Sequence, residues 1–362
     1  MKILVLSDLH IAKNTPWSKD WEDVEWLITQ LQSLKQRKGP AFPCFAGALL
    51  CGDMFNTPRI LPGDAVRLVD ILRIFGVDNK PVGWINGNHD PGDFNIAEIL
   101  PNAVNLNQEP LFDLISGHSF SQNIEEVREW LRGCPYPVTV THQSASMFMK
   151  FGEQLRDYQI LDKQLHAGDF VAPLNFIGDT HVTDVVTKGS VNCISPGILN
   201  PMRSRKELFE SAPQIMVWEV LQDTQHRWDV EGSCIDTIPL KKRPFIKIQL
   251  QEEIDNYNWQ SYVENIPLLA FVSDELRPDL DFTPWKDKPY RVVEYSETAR
   301  ANEVLDAPME DRAADTLEDI MAAANDILPE DAPNRTNILE LTRNMLGVED
   351  PDIIVKNYLE GK

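Results

Sequence analysis

Cysteine, histidine, positive charge and long apolar runs are all scarce in this chain. Its five cysteines, Cys44, Cys51, Cys134, Cys193 and Cys234, are odd in number and never stand in Cys-x-x-Cys spacing. That argues against a disulfide framework or a zinc ribbon and for reduced, intracellular thiols. No apolar stretch approaches the roughly 18 residues that would suggest a membrane-spanning helix. Residues 3–6 enter a strand-like run at once, leaving no room for a charged leader, an apolar stretch and a cleavage site. The expectation is a cytoplasmic protein without membrane insertion. Lys and Arg number 34 against 56 Asp and Glu, a net charge of -22, which disfavours nonspecific adhesion to a polyanion over the whole surface. Any nucleic acid must be met locally. Residues 301–362 carry fifteen acidic and five basic side chains, so nearly half of the excess lies in the last sixth.

What is present is enough for a real core: 362 residues with 43% hydrophobic content fit two or three folding units. Residues 3–6 read as a buried strand. Trp21, Val24, Leu27, Ile28, Leu31 and Leu34 then recur at helical spacing until Gly39-Pro40. A second strand over 46–50 leads to Gly52-Asp53, and a second helix follows with Val66, Val69, Leu72 and Phe75 on one face and Gly76 at its end. A third strand, 82–85, leads to Gly87-Asn-His-Asp90. Further strands are expected at 138–141, 174–177, 191–194, 215–221 and 228–238, the last two as a hairpin. Strands alternating with helices predict an α/β layered fold whose ligands gather at the carboxyl ends of strands. Residues 239–244 read as a linker, and strands near 245–250 and 290–295 predict a small α/β cap over 244–298. The tail, 299–362, reads as acidic and helical, broken by Pro329 and Pro333.

Five of the apolar runs end in metal-type residues: Asp8 and His10; Asp53; Asn88 and His89; His142; Asp179 and His181. Singly, each is an ordinary cap or turn residue. Together, eight carboxylate, amide and imidazole groups from five segments suffice to hold two ions such as Mn²⁺, Fe or Zn²⁺. Asp8-x-His10 is expected to project both donors to one side of an extended segment. A binuclear phosphoesterase is the first reading. His118, His166 and His226 fall outside these motifs.

At these residues the chain resembles the calcineurin-like metallophosphoesterase superfamily, whose motifs run D-x-H, G-D, G-N-H-D/E, a lone H, then G-H-x-H. Ser7-Asp-Leu-His10, Gly52-Asp-Met-Phe55 with Pro58, Asn86-Gly-Asn-His-Asp90 and Ser195-Pro-Gly197 resemble, more narrowly, the Mre11/SbcD nucleases of recombination and break repair. The motif match spans about 1–240. The resemblance implies a layered β-sandwich flanked by helices with a small α/β cap and a helical C-terminal tail. It implies Asp8, His10 and His181 on one ion, Asn88 and His142 on the second, Asp53 bridging, and His89 as proton donor. Asp179 stands where the family has His; as a harder oxygen donor for the second ion it favours Mn²⁺ or Mg²⁺.

The implied activity is Mn²⁺-dependent cleavage of DNA, exonuclease with some endonuclease action. A homodimer is implied too, for which the helix carrying Val66 to Phe75 is a candidate interface. The implied partner is a Rad50/SbcC-like SMC-type ATPase, held by residues about 335–360. Lys13, Arg59, Arg203 and Arg205, with Lys206 and the Lys241-Lys242-Arg243 cluster, are candidates for a phosphate track. Two other functions stay open: a stand-alone phosphodiesterase acting on a small nucleotide, which the acidity favours, and a non-catalytic scaffold whose Asp179 weakens the second ion position.

Overall fold

In the first strand Ile3 and Val5 point to one face and Leu4 and Leu6 to the other, as the period of two requires, and the two faces are buried in different cores. The computed structural model describes residues 1–295 except 16–17, 40–41, 57–59, 91–95, 149–163, 198–212, 223–229, 242 and 265. The expected helical tail lies outside the described residues.

In chain order the elements are β1 (Lys2–Leu6), α1 (Glu22–Lys38), β2 (Gly47–Cys51), α2 (Pro62–Phe75), β3 (Val82–Ile85), β4 (Ala103–Asn105), β5 (Ile115–His118), α3 (Ile124–Gly133), β6 (Val138–His142) and β7 (Leu174–Gly178). They continue with β8 (Thr183–Lys188), β9 (Val191–Pro196), β10 (Gln214–Gln222), β11 (Val230–Pro239), β12 (Phe245–Ile248), α4 (Gln251–Asp255), β13 (Leu268–Ser273) and β14 (Tyr290–Tyr295). The first sheet has the order β11-β10-β1-β2-β3-β4, the second β5-β6-β7-β9-β8, the third β12-β13-β14. Strands β1 to β4 run parallel to one another, and β10 closes antiparallel onto β1 and onto β11, the expected hairpin.

Ile3, Val5, Leu49, Ile85, Val138, Val140, Leu174, Phe176, Ile194 and Trp218 fill the space between the first two sheets. The opposite face of the first sheet packs on α1 and α2 through Leu4, Leu6, Leu50, Leu31, Leu68 and Leu72. The outer face of the second sheet meets α3 through Ile177, Cys193, Val127 and Leu131. The result is helix, sheet, sheet, helix, with each buried Leu or Ile contributing about 1.5–3 kcal/mol.

Helix α1 carries Glu22, Asp23 and Glu25 in its first turn and Lys35, Arg37 and Lys38 in its last, matching its dipole. Helix α2 opens on Pro62, with the Asp64 carboxylate accepting from the Leu61 amide at 2.8 Å, and closes on Gly76 in the left-handed conformation. It buries Leu68, Ile71, Leu72, Ile74 and Phe75, whereas Val66 is 55% exposed. The face read from the sequence is therefore rotated, because Ile71 and Ile74 face the sheet. The third sheet has its own core of Ile248, Ile254, Leu268, Ala270, Phe282 and Trp285. Arg243, expected on a solvated linker, is instead buried: it pairs with the buried Asp23 of α1 and donates to Pro267 O at 3.2 Å.

Candidate metal centre

Every candidate ligand lies at or just beyond the carboxyl end of a parallel strand. Asp8 and His10 follow β1, Asp53 follows β2, and Asn88 and His89 follow β3. His142 ends β6, and Asp179 and His181 follow β7. The first sheet thus brings five of the eight groups and the second sheet three, at one edge of the sandwich.

The loops after β1 and β2 run side by side. Asp8 N donates to Gly52 O at 3.1 Å, His10 N to Asp53 O at 3.0 Å and Ile11 N to Met54 O at 3.0 Å. Asp8 and His10 are not on an extended segment, as their spacing suggested; their φ angles are 51° and 45°. Asp53, Asp179 and His181 are also left-handed, at 50°, 78° and 54°. Five of the nine non-glycine residues with positive φ among the described residues are therefore candidate ligands. Strained backbone of this kind collects where side chains must be aimed rather than merely packed.

Glycines let the loops close in. Gly52 takes φ +90°, and a Cβ there would meet His142 Nδ1 at 2.2 Å. At Gly178 space alone is the reason: a Cβ would lie 2.2 Å from Cys51 O, 2.5 Å from His142 Nδ1 and 2.9 Å from Ser7 Oγ.

Donor atoms of Asp8, His10, Asp53 and His181 lie within 4.8 Å of one another. His10 Nε2 faces His181 Nε2 at 3.3 Å, and His181 Nε2 is 3.2 Å from Asp8 Oδ1. Beside them His142 Nε2 is 3.2 Å from Asn88 Oδ1, 3.4 Å from Asp53 Oδ2 and 3.9 Å from Asp179 Oδ1. Asp53 joins the two groups, since its Oδ2 is also 3.7 Å from His10 Nε2. His142 Nδ1 donates to Cys51 O at 2.8 Å when it carries the proton, which turns Nε2 toward the basin. Ser7 Oγ donates to Asp8, and Ser144 Oγ to Asp179. His89, buried, stands edge-on to His10 with ring centroids 5.4 Å apart.

The electrostatics follow from burying like and unlike charges together. Burial alone would raise the Asp53 carboxyl, but the charge and hydrogen bond of His142, with His10 and His89, hold it well below the usual carboxylate range. Burial works against a proton on His142 as well, yet Asp53, Asp8 and Asp179 outweigh it and lift that imidazole to about 10. Positive charge is strongly wanted in this basin.

The donor set fits divalent ions. Two adjoining groups of imidazole, carboxylate and amide oxygen share one carboxylate, the fully buried Asp53. Asp8, His10, Asp53 and His181 would hold one ion; Asp53, Asn88, His142 and Asp179 a second.

The phosphate-track candidates are less gathered. Lys13 pairs with Asp20 at 3.4 Å and stands over the Trp21 ring at 5.3 Å. Arg59, Arg203, Arg205 and Lys206 lie outside the described residues. Lys241 pairs with Glu264 at 2.7 Å, and Arg243 is buried, so it cannot reach a bound phosphate.

Asp90, the last residue of the Gly87-Asn-His-Asp90 motif, is no candidate ligand by sequence, yet it sits at the site. It is buried: its Oδ1 accepts from Phe55 N at 3.0 Å and its Oδ2 from Gly87 N at 2.9 Å. Burial, then the charge of Asp53, pushes its carboxyl up to about 7. An Asp directly after two candidate ligands was the available signal.

A family model described as calcineurin-like phosphoesterase matches residues 1–183. No curated protein sequence matches the chain. Among solved structures, an archaeal phosphodiesterase is similar at 15% identity and TM-score 0.33, covering 66% of this chain and 100% of its own. A Staphylococcus aureus protein assigned as a 5′-nucleotidase is similar at 12% identity and TM-score 0.35, covering 66% and 54%. Vps29 of Entamoeba histolytica is similar at 15% identity and TM-score 0.31, covering 66% and 99%. No helix among the described residues is long and apolar enough to cross a membrane.

Proposed function

Because the chain belongs to the calcineurin-like phosphoesterase family, we propose that it is a metal-dependent phosphodiesterase that cleaves DNA, of the Mre11/SbcD type. The observation that carries the hydrolytic part is the basin itself, where donors from five loops share the buried Asp53. The DNA assignment is supported by Ser7-Asp-Leu-His10, Asn86-Gly-Asn-His-Asp90 and Ser195-Pro-Gly197.

Two divalent cations in such a site would lower the pKa of a water and neutralise charge building on phosphorus during in-line displacement. The protein's own residues do the rest. Asp53 holds both donor groups at one spacing, and the Cys51 carbonyl holds His142 with Nε2 inward. His89, buried beside His10 and fixed by its amide to Asp53 Oδ1 at 2.9 Å, gives its proton to the departing oxygen. Acid catalysis of that kind contributes roughly a hundred- to ten-thousand-fold.

Residues about 335–360 are the proposed docking segment for a Rad50/SbcC-like ATPase, and a homodimer is the proposed state. Deleting 335–362 is expected to abolish capture of such an ATPase; unchanged capture would refute the docking role. The test of activity is cleavage of end-labelled linear DNA with Mn²⁺ by wild type, His89→Ala and Asp53→Ala, alongside a cyclic dinucleotide. Loss of DNA cleavage in both variants is expected. Turnover of the small substrate alone would move the chain to the nucleotide phosphodiesterase reading, and inactivity on both, with the ATPase present, to the scaffold.

A further inference from the structure

The loops bearing Asp53 and Asn88 are tied by two carboxylates that cross in opposite directions. Asp53 reaches from the β2 loop to accept from His89 N at 2.9 Å, and Asp90 reaches back from the β3 loop to accept from Phe55 N at 3.0 Å. The second oxygen of Asp90 accepts from Gly87 N at 2.9 Å, so one side chain pins both the neighbouring loop and the entrance of its own. The loops are already at their closest approach: a Cβ on Gly87 would lie 2.1 Å from Asp53 Oδ1 and 2.4 Å from Asp53 N.

We propose that Asp90 is a positioning residue that sets the spacing between Asp53 and Asn88, and so holds the second ion's donors together. The effect is selective because Asn88 is exposed, whereas Asp8, His10, Asp53 and His142 are at most 3% exposed and locked by packing. Backbone geometry brings Asn88 Oδ1 to 3.2 Å from His142 Nε2, and Asp90 braces that backbone through Gly87 N. Of the first ion's donors, Asp8, His10 and His181 stand on the β1 and β7 loops; only the shared Asp53 stands on a loop that Asp90 ties. The inference rests on the two-ion reading of the site.

The test is a Mn²⁺ titration of the full chain followed by electron paramagnetic resonance, on wild type, Asp90→Asn and Asp90→Ala. Wild type is expected to develop the spin-coupled signal of a close ion pair. Asp90→Asn sets an NH₂ group against a backbone N–H; it is expected to keep the first ion and bind the second about 10- to 100-fold more weakly, losing the coupled signal at concentrations where wild type shows it. Asp90→Ala, which opposes no donor to the amides, is expected to do the same. First-ion binding is the internal check that each variant is folded. A coupled signal at wild-type Mn²⁺ concentrations in both variants overturns the inference, as does equal weakening of both ions. Absence of coupling in wild type overturns the two-ion reading instead.

Discussion

Gly178→Ala adds one methyl group at the point where three parts of the site touch. The new carbon would lie 2.2 Å from Cys51 O and 2.5 Å from His142 Nδ1, the two atoms whose 2.8 Å hydrogen bond fixes the ring. Neither can yield cheaply, since one is backbone in β2 and the other a ring with no exposed surface. Overpacking costs about 1–3 kcal/mol, and a buried hydrogen bond lost at His142 costs about 1–3 kcal/mol more. The metal-free variant should thus be roughly 2–6 kcal/mol less stable, a melting temperature lower by about 3–8 °C for a chain of 362 residues.

The metal-dependent increment should shrink as well. At Mn²⁺ a thousand times the dissociation constant, binding stabilises by about 4.1 kcal/mol. Affinity weakened 10- to 100-fold by a misplaced ring leaves about 1.4–2.7 kcal/mol. Calorimetric melting of wild type and variant, with chelator and with saturating Mn²⁺, reads both quantities. A variant that melts as wild type does and gains as much from Mn²⁺ would refute the account of Gly178 as a spacer.

Other outcomes follow from single groups. Asp179→His replaces an oxygen donor with imidazole, and competition titration should show the preference for Zn²⁺ over Mn²⁺ rising about tenfold or more; an unchanged ratio would mean that this position does not ligate. Arg243→Met should cost about 3–5 kcal/mol by stranding buried Asp23, while Asp23→Leu with Arg243→Met should return close to wild type; urea unfolding showing additive single effects would defeat this. Glu264 is held below its ordinary value by the hydrogen bond it accepts from Lys241, then by the one it accepts from Trp26. Its stabilisation is therefore present above about pH 4.5 and fades as pH falls through the lower folded value. Glu264→Gln should flatten the acid limb by a few tenths of a kcal/mol, the pair being solvent-screened; equal slopes in both proteins would remove Glu264 from the account.

Much of this was readable because the signals were local. A short apolar run stopped by a ligand-bearing loop is contained within ten residues, so β1, β2, β3, β6 and β7 and their terminal donors were placed to within a residue or two. Strand β8 was missed because Thr183 to Lys188 is an exposed edge with no buried alternation. Strands β4 and β5 are three and four residues long. The errors lie where distant segments decide: Arg243 looks solvated until Asp23 is brought beneath it, and Ile74 outcompetes Val66 only once the sheet is in place. Left-handed backbone at Asp8 and His10 was invisible because it accompanies hydrogen bonds that their amides donate to carbonyls of the neighbouring loop, not a residue preference.

The donors' division between two sheets gives the ions a place in time. No separately folded half of the sandwich presents either complete set: Asp8 and His10 await His181, and Asn88 awaits His142. Strand β1 must meanwhile wait for β10, more than 200 residues later in the chain, a closure that topology makes slow. Metal capture is then a late event in folding, unable to nucleate the sandwich but able to report its completion. The appearance of a coupled manganese signal during refolding would be a clock for the moment the two sheets meet.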